Sequence, residues 1–186
     1  RTKVGERIGT FYGYVTNGII QNADEVAASG LGGVALGDRL YKDLNEDGII
    51  NGDDKTALGN GLPEYIFGMN LRANYRRFDI SVLLNGQAGV QIANMTRFGL
   101  YNMRYHNSTG IVNVSSDLLN SWSGPGTSSE LPRNAYTAPP SNQWFSSFYI
   151  ENGAFVRIRN VQIGYTLPEV IYKKAGISHA RIYIAG

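Results

Sequence analysis

The stretch "EYIFGMNLRANYRRFDISVLLNGQAG", Glu64 to Gly89, constrains the fold more than any other. Tyr65, Phe67, Met69, Leu71, Ala73 and Tyr75 share one parity, and Ile66, Gly68, Asn70, Arg72, Asn74 and Arg76 the other. Successive side chains of a strand point to opposite faces, so this alternation predicts a strand with one apolar and one polar face. Arg76 and Arg77 fall where a tight turn belongs. Beyond them Phe78, Ile80, Val82 and Leu84 alternate against Asp79, Ser81 and Asn85, which completes a hairpin with long arms. Two architectures use such a hairpin: a soluble sandwich, whose apolar face is core, and a membrane barrel, whose apolar face meets lipid. Length separates them better than alternation does. Ten steps of about 3.4 Å, tilted by about 45°, rise roughly 24 Å, close to the apolar band of a membrane barrel. Tyr65 and Tyr75 at the two ends, with Phe67 beside one, sit where aromatic girdles would lie. Ordinary soluble strands are about half as long.

A second hairpin is predicted near the far end. In "AFVRIRNVQIGYTLP", Val161, Ile163 and Tyr165 share a parity, but above them Val156 and Ile158 are apolar on the opposite phase. A one-residue slip inverts the faces, so the pattern calls for a bulge near Arg159–Asn160 or an upper segment clear of the membrane. "LPEVIYKKAG" predicts a short helix, with Pro168 in its first turn, Lys173 and Lys174 in its last and Gly176 as its stop. "HARIYIAG" returns as a strand. Early in the chain "NADEVAASG" predicts a short helix, capped by Asn22 with Glu25 as its capping-box partner. Residues 91–147 are polar with little periodicity, apart from a helical turn expected in "SSDLLNSW". Tyr101, Tyr105, Trp122, Tyr136 and Trp144 lie among their Asn and Ser residues. Such aromatics suit stacking on sugar rings or packing on a partner, and equally the anchoring of their own loop. Tyr101, Tyr105, Trp122 and Trp144 are the candidate substrate-binding residues.

"DLNEDGIINGDD" sets Asp43, Asn45, Asp47, the Ile49 carbonyl, Asn51 and Asp54 at positions 1, 3, 5, 7, 9 and 12 of a calcium-loop frame, with Gly48 at the sharp turn. The Asp at position 12 is shorter than the usual Glu. A calcium ion here would be structural, pinning the loop. The alternative is a set of Asx-turns around Gly48 with no ion. The segment also resembles one dockerin repeat, although a dockerin needs two.

Composition narrows the function. Lys and Arg total 17 against 15 acids, a net charge of +2, which argues against nucleic acid as a partner. The absence of cysteine removes disulfides, thiolate metal sites and cysteine nucleophiles. No apolar run reaches the roughly 18 residues of a spanning helix. His106 and His179 stand alone, and no catalytic constellation is present, so no enzymatic activity is expected. Both ends look cut, as in a piece of a longer protein.

Four blocks carry a resemblance: "GERIGTFYGYVTNGIIQNADEV", "GDRLYKDLNEDGIINGDDKTALGNGLPEYIFGMNL", "RRFDISVLLNGQAG" and "YIENGAFVRIRNVQIGYTLP". In order, they resemble the C-terminal part of SusC/RagA-type TonB-dependent outer-membrane transporters. The resemblance spans nearly the whole chain except the stretch around residues 100–140. It implies an all-β fold, a fragment of a large antiparallel transmembrane β-barrel with long extracellular loops and short helical turns. It divides the chain into an extracellular loop region at 1–63 with the calcium-like loop at 43–54, and a barrel hairpin at 64–90. A long extracellular loop at 91–152 follows, then a hairpin with a short helical periplasmic turn at 153–186. It implies a place in the outer membrane of a Gram-negative bacterium, in contact with lipid. The implied partners are a SusD-like surface lipoprotein, TonB through an N-terminal part outside this sequence, and glycan or peptide cargo. The competing expectation is a soluble carbohydrate-binding or dockerin-like calcium-dependent module.

Overall fold

A computed structural model describes residues 4–101, 113–135, 138–173 and 176–186. Along the chain run strands β1 (Thr10–Gly13) and β2 (Thr16–Ile19), helix α1 (Ala23–Ala28), and strands β3 (Arg39–Tyr41) and β4 (Thr56–Asn60). The long strands β5 (Tyr65–Tyr75) and β6 (Phe78–Ala88) follow, then β7 (Gln91–Ala93), helix α2 (Met95–Tyr101) and β8 (Ile150–Asn152). Strand β9 (Phe155–Thr166), helix α3 (Glu169–Tyr172) and strand β10 (Arg181–Ala185) complete the chain. Two compact units result: Arg1–Gly61 with Gln91–Asn152, and Leu62–Val90 with Gly153–Gly186. Among the described residues no helix is long and apolar enough to cross a membrane.

The second unit is one antiparallel sheet in the order β10-β9-β6-β5. Its first hairpin pairs Tyr65 with Ala88 and closes at Tyr75 with Phe78, leaving Arg76–Arg77 as the turn. Arg76 takes the left-handed backbone that a two-residue hairpin turn requires, at φ +56°. The bulge expected in β9 is present. Leu83 faces Asn160 and Leu84 faces Ile158, so Arg159 is the extra residue. Its effect is to restore parity. Residues directly opposite each other share a face. One face therefore carries Leu71, Val82 and Val161 across the sheet, and Ile80, Ile163 and Ile184 beside them. Above the bulge Val156 and Ile158 join the same face, opposite Gly86 and Leu84. Tyr75, Phe78 and Tyr165 close this face at the turn end, the last two with ring centroids 4.7 Å apart. Among the described residues of the unit nothing covers it: Leu71 is 50% exposed, Ile163 51% and Ile184 80%.

The opposite face carries Asn70, Arg72, Ser81, Asn85, Gln162 and Arg181. Here Arg181 of β10 reaches across β9 to Asp79 of β6, with Nε 2.9 Å from Oδ1 and a second bond from Nη2 to Oδ2. The path runs over Gly164. A Cβ at Gly164 would lie 2.4 Å from both the guanidinium and the Asp79 carboxylate. Glycine is thus required at this position for the bridge and not for its backbone angle. Gly164→Ala is expected to lower the thermal midpoint of the whole receptor, and to do so much less in an Arg181→Ala background. Equal losses in the two backgrounds would show that the bridge is not what the glycine admits.

In the first unit short strands pair as β1-β4, β2-β3 and β7-β8. The stretch 91–147, expected to be largely without regular structure, contains β7 and α2 as well as the expected turn, a 3₁₀ turn at Ser116–Asn120. Asn22 caps α1 by accepting from the Glu25 N–H at 2.9 Å. The reciprocal carboxylate bond goes to the Gln21 N–H at 2.7 Å and not to that of Asn22. Pro168, expected in the first turn of α3, is its N-cap residue. The apolar centre is Tyr14, Tyr41 and Ile50, flanked by Leu31 and Trp144. Beside it lies a buried polar knot. Asp38, fully buried, accepts from Ala35 N at 2.8 Å, Arg133 Nε at 2.7 Å and Asn142 Nδ2 at 2.8 Å.

Candidate functional site

The first unit holds two clefts that share Arg97, Ser129 and Glu130. The larger, about 840 Å³, is lined also by Gln21, Tyr101 and Asp117. The smaller, about 330 Å³, adds Thr16, Arg39 and Phe148. Two elements supply the cations. Asn94 caps α2, its Oδ1 accepting from the Arg97 N–H at 2.8 Å, while its Nδ2 donates to Glu151 of β8 at 2.9 Å. This fixes Arg97 in the first turn of the helix. Arg39, on β3, is held by its own N–H, which donates to Asn142 Oδ1 at 2.7 Å within the Asp38 knot.

Both guanidiniums pack on one ring, with Cζ of Arg39 and of Arg97 each 4.1 Å from the Phe148 centroid. Their electrostatic situations differ. Arg97 donates to the Phe148 carbonyl at 3.3 Å and stands 3.8 Å from the Glu151 carboxylate. Arg39 is 2% exposed, donates to the Glu130 carbonyl at 3.3 Å, and leaves its Nε–H without a partner among the described residues. Burial lowers the Arg39 pKa from the ordinary guanidinium value, and Arg97 pushes it the same way, while Tyr41 and Tyr149 oppose the change. No sequence pattern points to this pair. Arg39 lies in a three-residue strand and Arg97 in a stretch without periodicity, and only folding joins them.

The candidate aromatics separate. Tyr101 lines the larger cleft, its hydroxyl donating to the Asp117 carboxylate and its ring 5.2 Å from Arg97 Cζ. Trp144 stacks on Tyr14 at 4.6 Å and belongs to the packing of the unit. Trp122 lies against Gly37, where a Cβ would come within 2.3 Å of its ring, and its Nε1–H donates to Gln21 Oε1 at 3.1 Å. Both tryptophans make packing contacts within the unit. Tyr105 lies outside the described residues, as do Tyr136 and His106.

The loop at 43–54 is closed upon itself by backbone donors. Asp43 accepts from the N–H groups of Glu46 and Gly48, each at 2.7 Å. Asp47 accepts from Ile49 N at 2.8 Å, and Asn51 caps a 3₁₀ turn by accepting from Asp53 N at 2.7 Å. Asn45 turns its oxygen to the Asp47 N–H and its amide nitrogen to the Asp47 carboxylate at 2.9 Å. Asp54, fully buried, accepts from Asn51 N and Leu44 N, each at 2.8 Å, and these bonds hold its pKa below the ordinary carboxylate range against the opposing effect of burial. Glu46 at φ +59° and Gly48 at φ +80° make the turn. Among the described residues no group of three or more His, Cys, Asp or Glu side chains is arranged to hold a metal ion.

No protein-family profile matches the chain. Curated relatives do. It is 32% identical over 184 residues to TonB-dependent receptor P3 of Formosa agariphila, covering 98% of this chain and 17% of that protein. It is 30% identical to TonB-dependent receptor P26 of the same organism, covering 100% of this chain and 18% of the relative. Among solved structures it superposes on the RagAB peptide transporter with a TM-score of 0.66 at 20% identity, over 95% of this chain and 18% of the other. The same importer in its "closed-closed" state gives a TM-score of 0.65. The fold expected from the four sequence blocks is thereby found, and the chain spans less than a fifth of the proteins it matches. By sequence along its whole length and by fold, the chain belongs to the TonB-dependent receptor family, as a segment covering 17% of one such receptor.

Proposed function

We propose that this segment supplies four strands and extracellular structure to an outer-membrane transporter. That transporter would import oligomeric nutrients, glycans or peptides, together with a SusD-like surface lipoprotein and driven through TonB. The carrying observation is the continuous apolar face of β10-β9-β6-β5, one-sided and uncovered within its unit. In water such a face would be an aggregation hazard, whereas against lipid it is the stable arrangement. The RagAB structures, described as a peptide transporter and importer, support the import reading. Barrels of this type keep short turns inside and long loops outside, which argues for Arg76–Arg77 in the periplasm and residues 1–63 and 91–152 outside the cell. The test is cysteine labelling of whole cells with a membrane-impermeant reagent. Pro125→Cys and Asp53→Cys should label on intact cells and Arg77→Cys only after lysis; the reverse pattern would overturn the orientation.

We also propose that calcium adds to the 43–54 loop through Asp43, Asn45, Asp47, the Ile49 carbonyl, Asn51 and Asp54. A carboxylate oxygen that accepts one N–H retains a further acceptor site, and the spacing wraps one ion. Binding would require Asn45 to release Asp47 and turn its oxygen inward. Affinity on the order of 10⁻⁴ to 10⁻³ M is expected, as for extracellular modules. Calorimetric titration of the whole receptor should show calcium binding that Asp47→Ala abolishes while the barrel stays folded. No heat in the parent receptor at millimolar calcium would mean that Asx-turns alone hold the loop.

A further inference from the structure

We infer that Arg39 and Arg97 form a subsite for a carboxylate of the imported oligomer, in the cleft they share with Thr16, Ser129 and Glu130. The Arg39 guanidinium, at 2% exposure, has lost nearly all of its hydration, and its hydrogen-bond partner among the described residues is a single neutral carbonyl at 3.3 Å. Buried charges are ordinarily paired, and an unpaired one is costly. The nearest possibilities within the unit do not supply the pair. Asp38 is committed to Arg133, and Asp117 to the Tyr101 hydroxyl. Glu151 lies 3.8 Å from Arg97 and bonds Asn94. Glu130 gives Arg39 its backbone carbonyl, and its charge is the weakest of the influences on the guanidinium.

A second cation on the same ring sharpens the point. Arg39 and Arg97 repel one another, yet both are fixed: one through the Asn142 bond to its backbone, the other through the capped start of α2. Each also gains from the face of Phe148. An anion entering the cleft would meet two preorganised guanidiniums and relieve their repulsion. The planar fork of N–H donors matches a carboxylate in particular. The Arg39 Nε–H, buried and without a partner among the described residues, marks the guanidinium as incompletely satisfied. The carboxylate could belong to an acidic peptide or to a uronic-acid glycan, and the cleft chemistry is the same for both.

The inference rests on the import reading only in calling the ligand cargo, so binding is measured apart from transport. Purified whole receptor in detergent would be titrated with triglutamate and with trigalacturonate, each against a neutral counterpart, blocked triglutamine amide and galactotriose. At least one acidic probe should bind about tenfold or more tightly than its counterpart, the lower end expected for one hydrogen bond to a charged group. Arg97→Gln, at a half-buried position, should remove that margin and leave the neutral probes unchanged. Arg39→Lys, which keeps the charge but loses the fork, should reduce it. A margin for triglutamate alone assigns acidic peptides, and one for trigalacturonate alone assigns acidic glycans. The subsite is overturned if neither acidic probe exceeds its counterpart, or if Arg97→Gln weakens charged and neutral probes alike. A receptor that binds the acidic probe but does not import it would keep the subsite and sink the import reading.

Discussion

Asp38→Ala should destabilise the unit that contains it by about 3–5 kcal/mol, the range for removing one partner of a buried ion pair. The carboxylate is fully buried and takes four donors: Ala35 N, Arg133 Nε at 2.7 Å and Nη2 at 3.1 Å, and Asn142 Nδ2. Removing it orphans all four. The lower half of the range is expected, because the Arg133 side chain keeps 22% of its exposure and water can reach the freed charge. The loss also travels. Asn142 holds the Arg39 N–H, and Arg133 N donates to the Gly37 carbonyl at 2.7 Å, so the β3 strand and the 131–133 segment loosen together. Limited proteolysis of the whole receptor should show faster cutting in residues 113–135 while the barrel keeps its heat-modifiable mobility on gels. Asp38→Leu combined with Arg133→Met should recover most of the loss, since neither ion of that pair then remains to be left without its partner. A change under about 1 kcal/mol for Asp38→Ala would mean that water already satisfies the knot.

The contrast between the two units explains what the sequence disclosed. In β5 and β6 most residues answer to one local rule, the period of two, Ile66 and Leu83 excepted, and a one-residue error would invert the faces. The hairpin limits, the Arg76–Arg77 turn and the slip near Arg159 are therefore all written in parity, and the register Leu71–Val82–Val161 follows from it. The first unit obeys no such rule. Asp38 meets Arg133 and Asn142 across 95 and 104 residues, and no periodicity encodes a hydrogen bond of that span. The same distance hid Arg39 and Arg97. Composition marked Tyr101, Trp122 and Trp144 as binding candidates, but an aromatic that packs and one that binds look alike in a sequence. Only a neighbour such as Tyr14 under Trp144, or Gly37 under Trp122, tells them apart. The loop at 43–54 shows the same limit on a smaller scale, because Asx-turns and calcium ligation ask for the same residues at the same spacing.

Leu71→Arg should destabilise the intact receptor by about 2–4 kcal/mol, the cost of a cation on the lipid face of a barrel at the bilayer midplane. Leu71 lies near the middle of β5, opposite Val82, on the face that Tyr65 and Tyr75 bound at its two ends. Its neighbour in height, Ser81, pairs with Arg72 on the other face. Ser81→Arg is expected to cost far less, because that face already carries Arg72 and Asn70 and would be wetted by the lumen. Depth gives the second arm. Tyr75→Arg, at the girdle, should cost only about 0–1 kcal/mol, since the penalty falls away toward the interface. Unfolding of the reconstituted receptor in denaturant would give the three values. A protein core behind the apolar face would also penalise Leu71→Arg, but it would penalise a buried arginine at Tyr75 as well. The large-then-small profile along one strand, combined with tolerance at Ser81, is specific to lipid. Equal costs at Leu71 and Tyr75 would mean that the face packs against protein, and the barrel reading of these four strands would fall with it.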